Sequence, residues 1–391
     1  MSPQPPRLLV LSQAHPHFFT RWLEQLSRSL GPLELWTGTV PSPPLPDVEV
    51  EPLTPYVRES NRSRLRCWLS ATAHVALKLL TRRERPPLLV LTNPPFLPLL
   101  IGLLAPFLRL RYALLEWDIY PEAVSAMGFA GEKNPLLRIW RSLHGRALRG
   151  AELVITLGDG MADRLREAAG DDLAVEVIPV AADLERLRPL PRSENTLATE
   201  LDLGDELVVL YSGNLGATHD LEALLAAMHE LKDETGIRFV VAGEGSQRRL
   251  FEDAVTKGQL PQLSLLPFQP EARLPELLAL ADVGVVTLAA RLSGISSPSK
   301  MPPLIAAGAA LAVIAPASDD LSSLVVDADC GRSFRSDDAV GLAGWLRELA
   351  ADRAKLHALR ENARRLAEER YDERRCLERM AARIDETLLR Q

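Results

Sequence analysis

Short apolar runs alternate with amphipathic stretches along almost the whole chain. The runs predict strands at 7–12, 33–36, 88–92, 112–116, 153–156 and 174–178. Between them, the spacing predicts helices near 18–30, 61–83, 96–108, 134–149 and 158–169. Strands without a polar face, separated by helices, describe a parallel sheet covered on both sides. The pattern pauses at Arg188-Pro189-Leu190-Pro191-Arg192-Ser193-Glu194-Asn195-Thr196, which is polar and proline-rich and reads as a linker. It restarts at 206–211 and repeats, with strands at 237–242, 263–266, 283–287 and 310–314. After Asp337 only helical spacing continues, ending in the charged segment 352–390. The expected class is α/β, with two doubly wound domains at 1–187 and 201–365. A linker at 188–200 joins them, and a helix at 366–391 packs back on the first domain. Ligands of such sheets bind beyond the carboxyl ends of the strands, here expected in a cleft between the domains.

One stretch needs separate treatment. No charge occurs from Pro86 to Leu108, and Arg85 and Arg109 flank it, so it is long enough to cross a bilayer. It also holds six prolines, and each removes a backbone donor that hydrocarbon cannot replace. A buried strand, a Pro-rich turn and a buried helix are therefore expected. Composition agrees with a soluble globular protein, at 47% apolar and 25% charged. The formal charge of −7 gives no reason to expect nucleic acid as a partner. The halves differ, since residues 1–190 hold 22 Lys and Arg against 20 Asp and Glu, leaving −9 for the rest. Cys67, Cys330 and Cys376 lie far apart and no C-x-x-C occurs, so neither structural zinc nor a disulfide framework is expected. The opening residues have no apolar signal-peptide core, and a cytoplasmic location follows as the expectation.

Four segments could carry chemistry. Tyr211-Ser212-Gly213-Asn214-Leu215-Gly216-Ala217-Thr218-His219-Asp220 follows a strand directly. Its glycines permit close backbone approach, its amides are expected to face a ligand, and Asp220 can cap the next helix. A plain strand-to-helix turn is the other reading. Val241-Ala242-Gly243-Glu244-Gly245 is a G-x-G after a strand, but Arg248 stands where a dinucleotide fingerprint has its third glycine. A Rossmann dehydrogenase is disfavoured. Ser297-Pro298-Ser299-Lys300-Met301-Pro302-Pro303 reads as a helix start with Ser299 as N-cap and a lysine beside free amides, an anion site. Its bland alternative is a capped helix with a solvated lysine. Glu116-Trp117-Asp118-Ile119-Tyr120-Pro121-Glu122 ends a first-domain strand, and its carboxylates could act as a base or only as caps. His15 and His17 read as loop residues after the first strand, and Asp327-Ala328-Asp329 as a turn rather than a metal site. No P-loop, H-E-x-x-H, G-x-S-x-G or EF-hand loop is present.

Taken together, these segments resemble the retaining glycosyltransferases of family 4, of GT-B fold. The likeness covers nearly the whole chain and is strongest in the second domain. The 211–220 segment is similar to the family's loop after the first donor-domain strand, and Gly243-Glu244-Gly245 to the next loop. The stretch from Leu266-Pro267-Phe268 to Val285 resembles the one that passes the nucleotide base. Ser297-Pro298-Ser299-Lys300 with Ala306-Ala307-Gly308 resembles the diphosphate loop of the branch that makes bacterial surface polysaccharides. Thr92-Asn93-Pro94-Pro95 and Glu116–Glu122 are similar to that branch's acceptor side, and Ile178-Pro179-Val180 with Asp183 to its closing strand.

The resemblance implies a nucleoside diphosphate sugar as donor substrate, a hydroxyl acceptor that could be lipid-linked, no cofactor and no metal. Donor contacts are implied for Gly213, Asn214, Gly216, His219, Gly243, Gly245, Phe268, Ser297, Ser299, Lys300 and Met301. Lys300 and Asp118 are the expected catalytic residues. The sequence departs from the family in three places. Two glutamates eight positions apart are replaced by Ile295 and Pro303, the glycine pair after the first strand by Ser12–His17, and an asparagine by Val180. A sugar-nucleotide epimerase and a non-catalytic scaffold remain as alternatives. Finally, residues 58–85 carry eight Lys and Arg against two Glu, with Trp68 and Leu69 interleaved. That composition suits either a helix lying on anionic lipid at the inner face of the membrane or a solvated basic helix.

Overall fold

The computed structural model describes residues 7–14, 17–57, 60–129, 131, 133–216 and 220–390, with backbone alone for residues 17 and 61. The chain divides into two compact units. Unit 1 comprises residues 1–179, 294–297 and 375–391, and unit 2 comprises 180–293 and 298–374.

Unit 1 is built on Leu8–Leu11 (β1), Leu33–Thr37 (β2), Val48–Pro52 (β3), Leu88–Leu91 (β4), Tyr112–Glu116 (β5), Leu153–Thr156 (β6) and Val175–Val177 (β7). All pair in parallel in the order β3-β2-β1-β4-β5-β6-β7. The central strands β1, β4, β5 and β6 are buried at every residue, as continuous apolar runs require. Strand β3, Val-Glu-Val-Glu-Pro, was not anticipated. It alternates because it is an edge strand, with Val48 buried and Glu49 exposed. The charge-free stretch resolves into β4, a Pro-rich turn and the helix Leu97–Leu108, as expected, but the helix is buried on one side only, at Leu97, Pro98, Ile101 and Gly102. Among the described residues no helix is long and apolar enough to cross a membrane.

Unit 2 contains Leu207–Ser212 (β8), Ile237–Ala242 (β9), Leu263–Leu266 (β10), Val283–Thr287 (β11), Ala310–Ile314 (β12) and Gly331–Phe334 (β13), again all parallel, in the order β10-β9-β8-β11-β12-β13. Its outermost strand β13, Gly-Arg-Ser-Phe, carries too little apolar signal to be seen in sequence. It starts at Gly331, where a Cβ would lie 2.0 Å from the Leu311 carbonyl oxygen. The segment 352–390 is three elements rather than one: Arg353–Arg370, Glu373–Ile384 and a π-turn at Asp385–Leu389. Two of these belong wholly or largely to unit 1, where Arg111 donates to the Leu388 and Thr387 carbonyls while paired with Glu152.

The 188–200 segment is not a free linker. It forms a short 3-10 turn at Arg192–Glu194 and the helix Thr196–Glu200, which Asn195 caps. Arg192 fixes it to unit 2 through the carbonyls of Gly204 and Glu206 and through Asp282 at 2.7 Å. Asp282 is buried. It also pairs with Arg360 at 2.7 Å and accepts the Val208 amide at 2.9 Å, so one carboxylate joins the start of the sheet to two outer segments. Removing it strands two guanidinium groups and a backbone donor. Asp282→Ala is therefore expected to cost about 3 kcal/mol or more of folding stability. Denaturant unfolding measures this, and a loss below about 1 kcal/mol, the worth of an exposed pair, would refute it.

Candidate functional site

In unit 2, β8 runs into Gly213-Asn214-Leu215-Gly216 and β9 into Gly243-Glu244-Gly245, and the two turns pack backbone against backbone. A Cβ on Gly243 would lie 1.8 Å from the Gly213 carbonyl oxygen, and one on Gly245 would lie 2.4 Å from the Leu215 carbonyl carbon. Gly213, Gly243 and Gly245 also hold φ values of 129°, 153° and 152°, which side chains rarely adopt. This contact corrects one expectation. The Gly213 and Leu215 amides are not turned outward but donate to Ala242 and Glu244 carbonyls at 2.8 Å each. Arg248, which broke the dinucleotide fingerprint, has a structural task. It donates to the Gly243 carbonyl at 2.6 Å and the Leu266 carbonyl at 2.9 Å, tying the second turn to β10.

Lys300 lies against the first turn. Its Nζ sits 4.0 Å from the centre of the Tyr211 ring, donates to the Tyr211 hydroxyl, and lies 3.4 Å from the Asn214 carbonyl oxygen. The Tyr211 hydroxyl in turn donates to that same carbonyl at 2.8 Å. Among the described residues no carboxylate pairs with Lys300. Burial without a counter-charge pushes its pKa down to about 7. Burial also pushes the Tyr211 hydroxyl upward, so the phenol stays protonated. The arrangement is a half-buried amine held against the first glycine turn by the Tyr211 ring and hydroxyl.

Other expected residues fall less neatly. Lys300, not Ser299, occupies the cap position of the helix Met301–Ala306, with no side-chain cap bond, because Pro302 and Pro303 shape its first turn instead. Met301 is a core residue whose amide reaches the Pro298 carbonyl at 3.5 Å. Asp220 caps nothing, since the helix Glu222–Glu230 starts after Leu221, again without a side-chain bond. Phe268 is 55% exposed in the turn that follows β10. His219 and His15 lie outside the described residues, and His17 opens the helix His17–Leu30 rather than lying in a loop. Ser297 belongs to unit 1.

In unit 1, Asp118 follows β5. It is half-buried and bridges backbone to backbone with Ser296, while the Ile119 amide donates to the Ile295 carbonyl at 3.0 Å. Burial raises its pKa; the Ser296 side chain opposes that, and nearby Glu116 adds to it. Ile295, in place of a family glutamate, is buried there. Glu116 is itself fully buried at 3.1 Å from His144, a partner that sequence reasoning missed because it lies 28 positions away on the helix Pro135–Gly150. Burial lowers the His144 pKa, but Glu116 more than offsets this, and the net shift is upward. Three side-chain acceptors, Gln13 Oε1, Asn93 Oδ1 and Glu116 Oε2, are buried without a hydrogen-bond partner among the described residues. They follow or end β1, β4 and β5, which are neighbours in the sheet, so unsatisfied acceptors collect at its carboxyl edge. The three cysteines are free and buried, and among the described residues no cluster of His, Cys, Asp or Glu could hold a metal ion.

Comparison with known proteins places this geometry. Residues 194–366 match the family of Glycosyl transferases group 1. The chain is 24% identical over 308 residues to the probable glycosyltransferase WbjE of Pseudomonas aeruginosa, spanning 78% of this chain and 76% of that protein. It is 26% identical over 226 residues to the putative colanic acid biosynthesis glycosyl transferase WcaI of Escherichia coli K12, spanning 57% and 55%. Among solved structures, HepE of Anabaena, in complex with UDP and glucose, aligns with a TM-score of 0.71 at 16% identity, over 97% of this chain and 99% of that one.

The buried amine makes a test that needs no substrate. A lysine whose folded pKa lies below its unfolded value of 10.5 destabilises the fold fully below about pH 7, and the cost fades as pH rises from 7 towards 10.5. Lys300→Met is thus expected to raise the unfolding midpoint of the ligand-free protein at pH 6 and to leave it nearly unchanged near pH 10. A pH-independent difference would contradict the assigned burial.

Proposed function

With residues 194–366 forming a group 1 glycosyl transferase domain, we propose that the chain moves a sugar from a nucleoside diphosphate sugar to a hydroxyl acceptor, with retention of anomeric configuration. The observation that carries this reading is Lys300, a half-buried amine with no carboxylate partner among the described residues, set against the glycine turn that follows β8. As the glycosidic bond breaks, the departing diphosphate gains negative charge, and fixed positive potential at that point lowers the barrier. Lys300 supplies it. Gly243 and Gly245 let their turn pack on the first, and the diphosphate is assigned to the surface that Gly213, Gly216, Gly243 and Gly245 present beside Lys300. Asn214 Nδ2 and the Ser299 hydroxyl are assigned to the same diphosphate, and the exposed Phe268 ring to the nucleobase. HepE, solved with UDP and glucose, makes UDP-glucose the first donor to try.

On the acceptor side, Asp118 is assigned the hydroxyl that attacks. A carboxyl whose pKa is raised lies nearer working pH and accepts a proton more readily than an ordinary aspartate. The name of WcaI, a putative colanic acid biosynthesis glycosyl transferase, makes an intermediate of polysaccharide synthesis the acceptor to try. An acceptor of that kind carried on a lipid is met at the cytoplasmic membrane surface, which gives the basic segment 58–85 a place in this reading.

Diphosphate binding restores the ammonium, so nucleotide affinity is expected to fall as pH rises from 6 to 8.5. In a thermal-shift screen, UDP or another nucleoside diphosphate is expected to raise the wild-type midpoint. At one hundred times its Kd it adds about 2.7 kcal/mol of stability. Lys300→Ala is expected to lose most of that shift and at least about 100-fold in kcat/KM, the usual effect of deleting one donor to a developing oxyanion. No shift with any nucleoside diphosphate would sink the reading. Binding without transfer to any acceptor would favour the scaffold alternative.

A further inference from the structure

Four neighbouring helices of unit 1 share one side of its sheet; the last, Asp159–Ala169, exposes Asp159, Asp163 and Glu167, and the other three form a basic and apolar patch beside it. These three are the crossovers β3 to β4 (Asn61–Thr81), β4 to β5 (Leu97–Leu108) and β5 to β6 (Pro135–Gly150). Crossovers that advance in the same direction along a parallel sheet are right-handed and fall on one face. The first helix packs on the second and the second on the third, where Gly102 allows the Ala147 backbone so close that a Cβ there would meet it at 2.7 Å. Their inner sides are core: Cys67, Ala71, Val75 and Leu79 on the first, Leu97 and Ile101 on the second, Leu137, Ala147 and Leu148 on the third. The expected basic helix at 58–85 is therefore a crossover with a buried stripe, not a detached surface helix, and residues 58 and 59 lie outside the described ones.

The outer sides have an unusual composition. Leu65, Leu69, Leu77 and Leu80 recur at helical spacing along the exposed edge of the first helix. Leu103 and Phe107, the latter 80% exposed, project from the second, which carries no charge at all. Leu136, 71% exposed, and Ile139 project from the third. Every charged side chain on the first and third helices is Lys or Arg, in a protein whose net charge is −7. Arg62, Arg66, Arg138, Arg146 and Arg149 are exposed and form no ion pair with any described residue.

We propose that this three-helix face docks on an anionic bilayer surface, its leucines and Phe107 entering the headgroup boundary and its arginines meeting lipid phosphates. The charge identifies the partner. An apolar face destined for a second copy of the chain would bring two all-cationic surfaces together, whereas an anionic membrane neutralises both helices at once. Apolar side chains at the interface add a salt-resistant component that a solvated basic helix lacks. Docking itself is independent of catalysis; that it delivers a lipid-borne acceptor rests on the glycosyltransferase reading.

Vesicle flotation of the full chain separates the possibilities. Vesicles of phosphatidylcholine with 30% phosphatidylglycerol are compared with pure phosphatidylcholine, at low and high salt. The wild type is expected to float with the anionic vesicles at least tenfold more, with a fraction persisting at high salt. Arg62→Glu with Arg66→Glu is expected to cut anionic binding tenfold or more, and Phe107→Glu with Ile139→Glu to remove the salt-resistant fraction. All four positions are exposed, and an unchanged UDP-induced thermal shift reports that the variants fold and that the donor site is intact. Equal binding to neutral and anionic vesicles, or none to either, overturns the proposal. So does a concentration-dependent dimer abolished by Phe107→Glu, which would assign the face to a second copy. If UDP gives no shift in the wild type while anionic vesicles still bind, the donor reading fails and the docking face stands.

Discussion

The arrangement around Lys300 rests on one steric fact: the backbone at Gly243 passes the backbone at Gly213 with no room for a carbon atom between them. That approach lets the end of β9 hydrogen-bond to the turn after β8 as if the sheet continued beyond its last residues. The turn then presents the Asn214 carbonyl towards the Tyr211 hydroxyl and Lys300. Glycine here is not a hinge. It is the condition for two polar turns to be rigid at once, and rigidity matters because an electrostatic site works without reorganising when charge develops.

Around that contact the protein accepts a cost. A lysine half-buried and left without a carboxylate partner among the described residues destabilises the empty fold, and Tyr211 mitigates this through its ring face and oxygen. The contrast with Asp282 is instructive. There a buried charge is met by two arginines and a backbone amide, and it serves the architecture. The balanced charge is structural; the unbalanced one is the group that the proposed function assigns to the diphosphate. In unit 1, Glu116 sits between these extremes, with one oxygen on His144 and the other unpaired.

Much of this is legible in the amino-acid sequence because the central strands are buried on both sides and therefore read as unbroken apolar runs. Edge strands escape that rule. Val48–Pro52 alternates and Gly331–Phe334 is short and polar, so neither stands out from a loop. The glycine turns and Lys300 are visible as motifs, but their hydrogen bonding is not. Which amides point outward depends on a neighbouring turn some thirty residues away, and the Gly213 and Leu215 donors prove to be spent on it. Cap assignments for Ser299 and Asp220 failed for a local reason. Both lie near helix starts that the backbone makes without side-chain help. The Glu116–His144 pair joins a strand end to a helix face, a relation that no spacing rule encodes.

The partition of the chain has one consequence for anyone dividing the protein. Unit 1 is sewn from three separated stretches, of which 294–297 contributes the backbone partner of Ile119 and 375–391 contributes a helix whose Leu377, Met380 and Ile384 are buried. Cutting after Pro179 would therefore release the whole sheet without the helix that covers part of its core, and with Arg111 deprived of the carbonyls it grips. Evolution can exchange modules that are continuous in the gene; this one is interleaved, so its two halves must be inherited, and must fold, as a single piece.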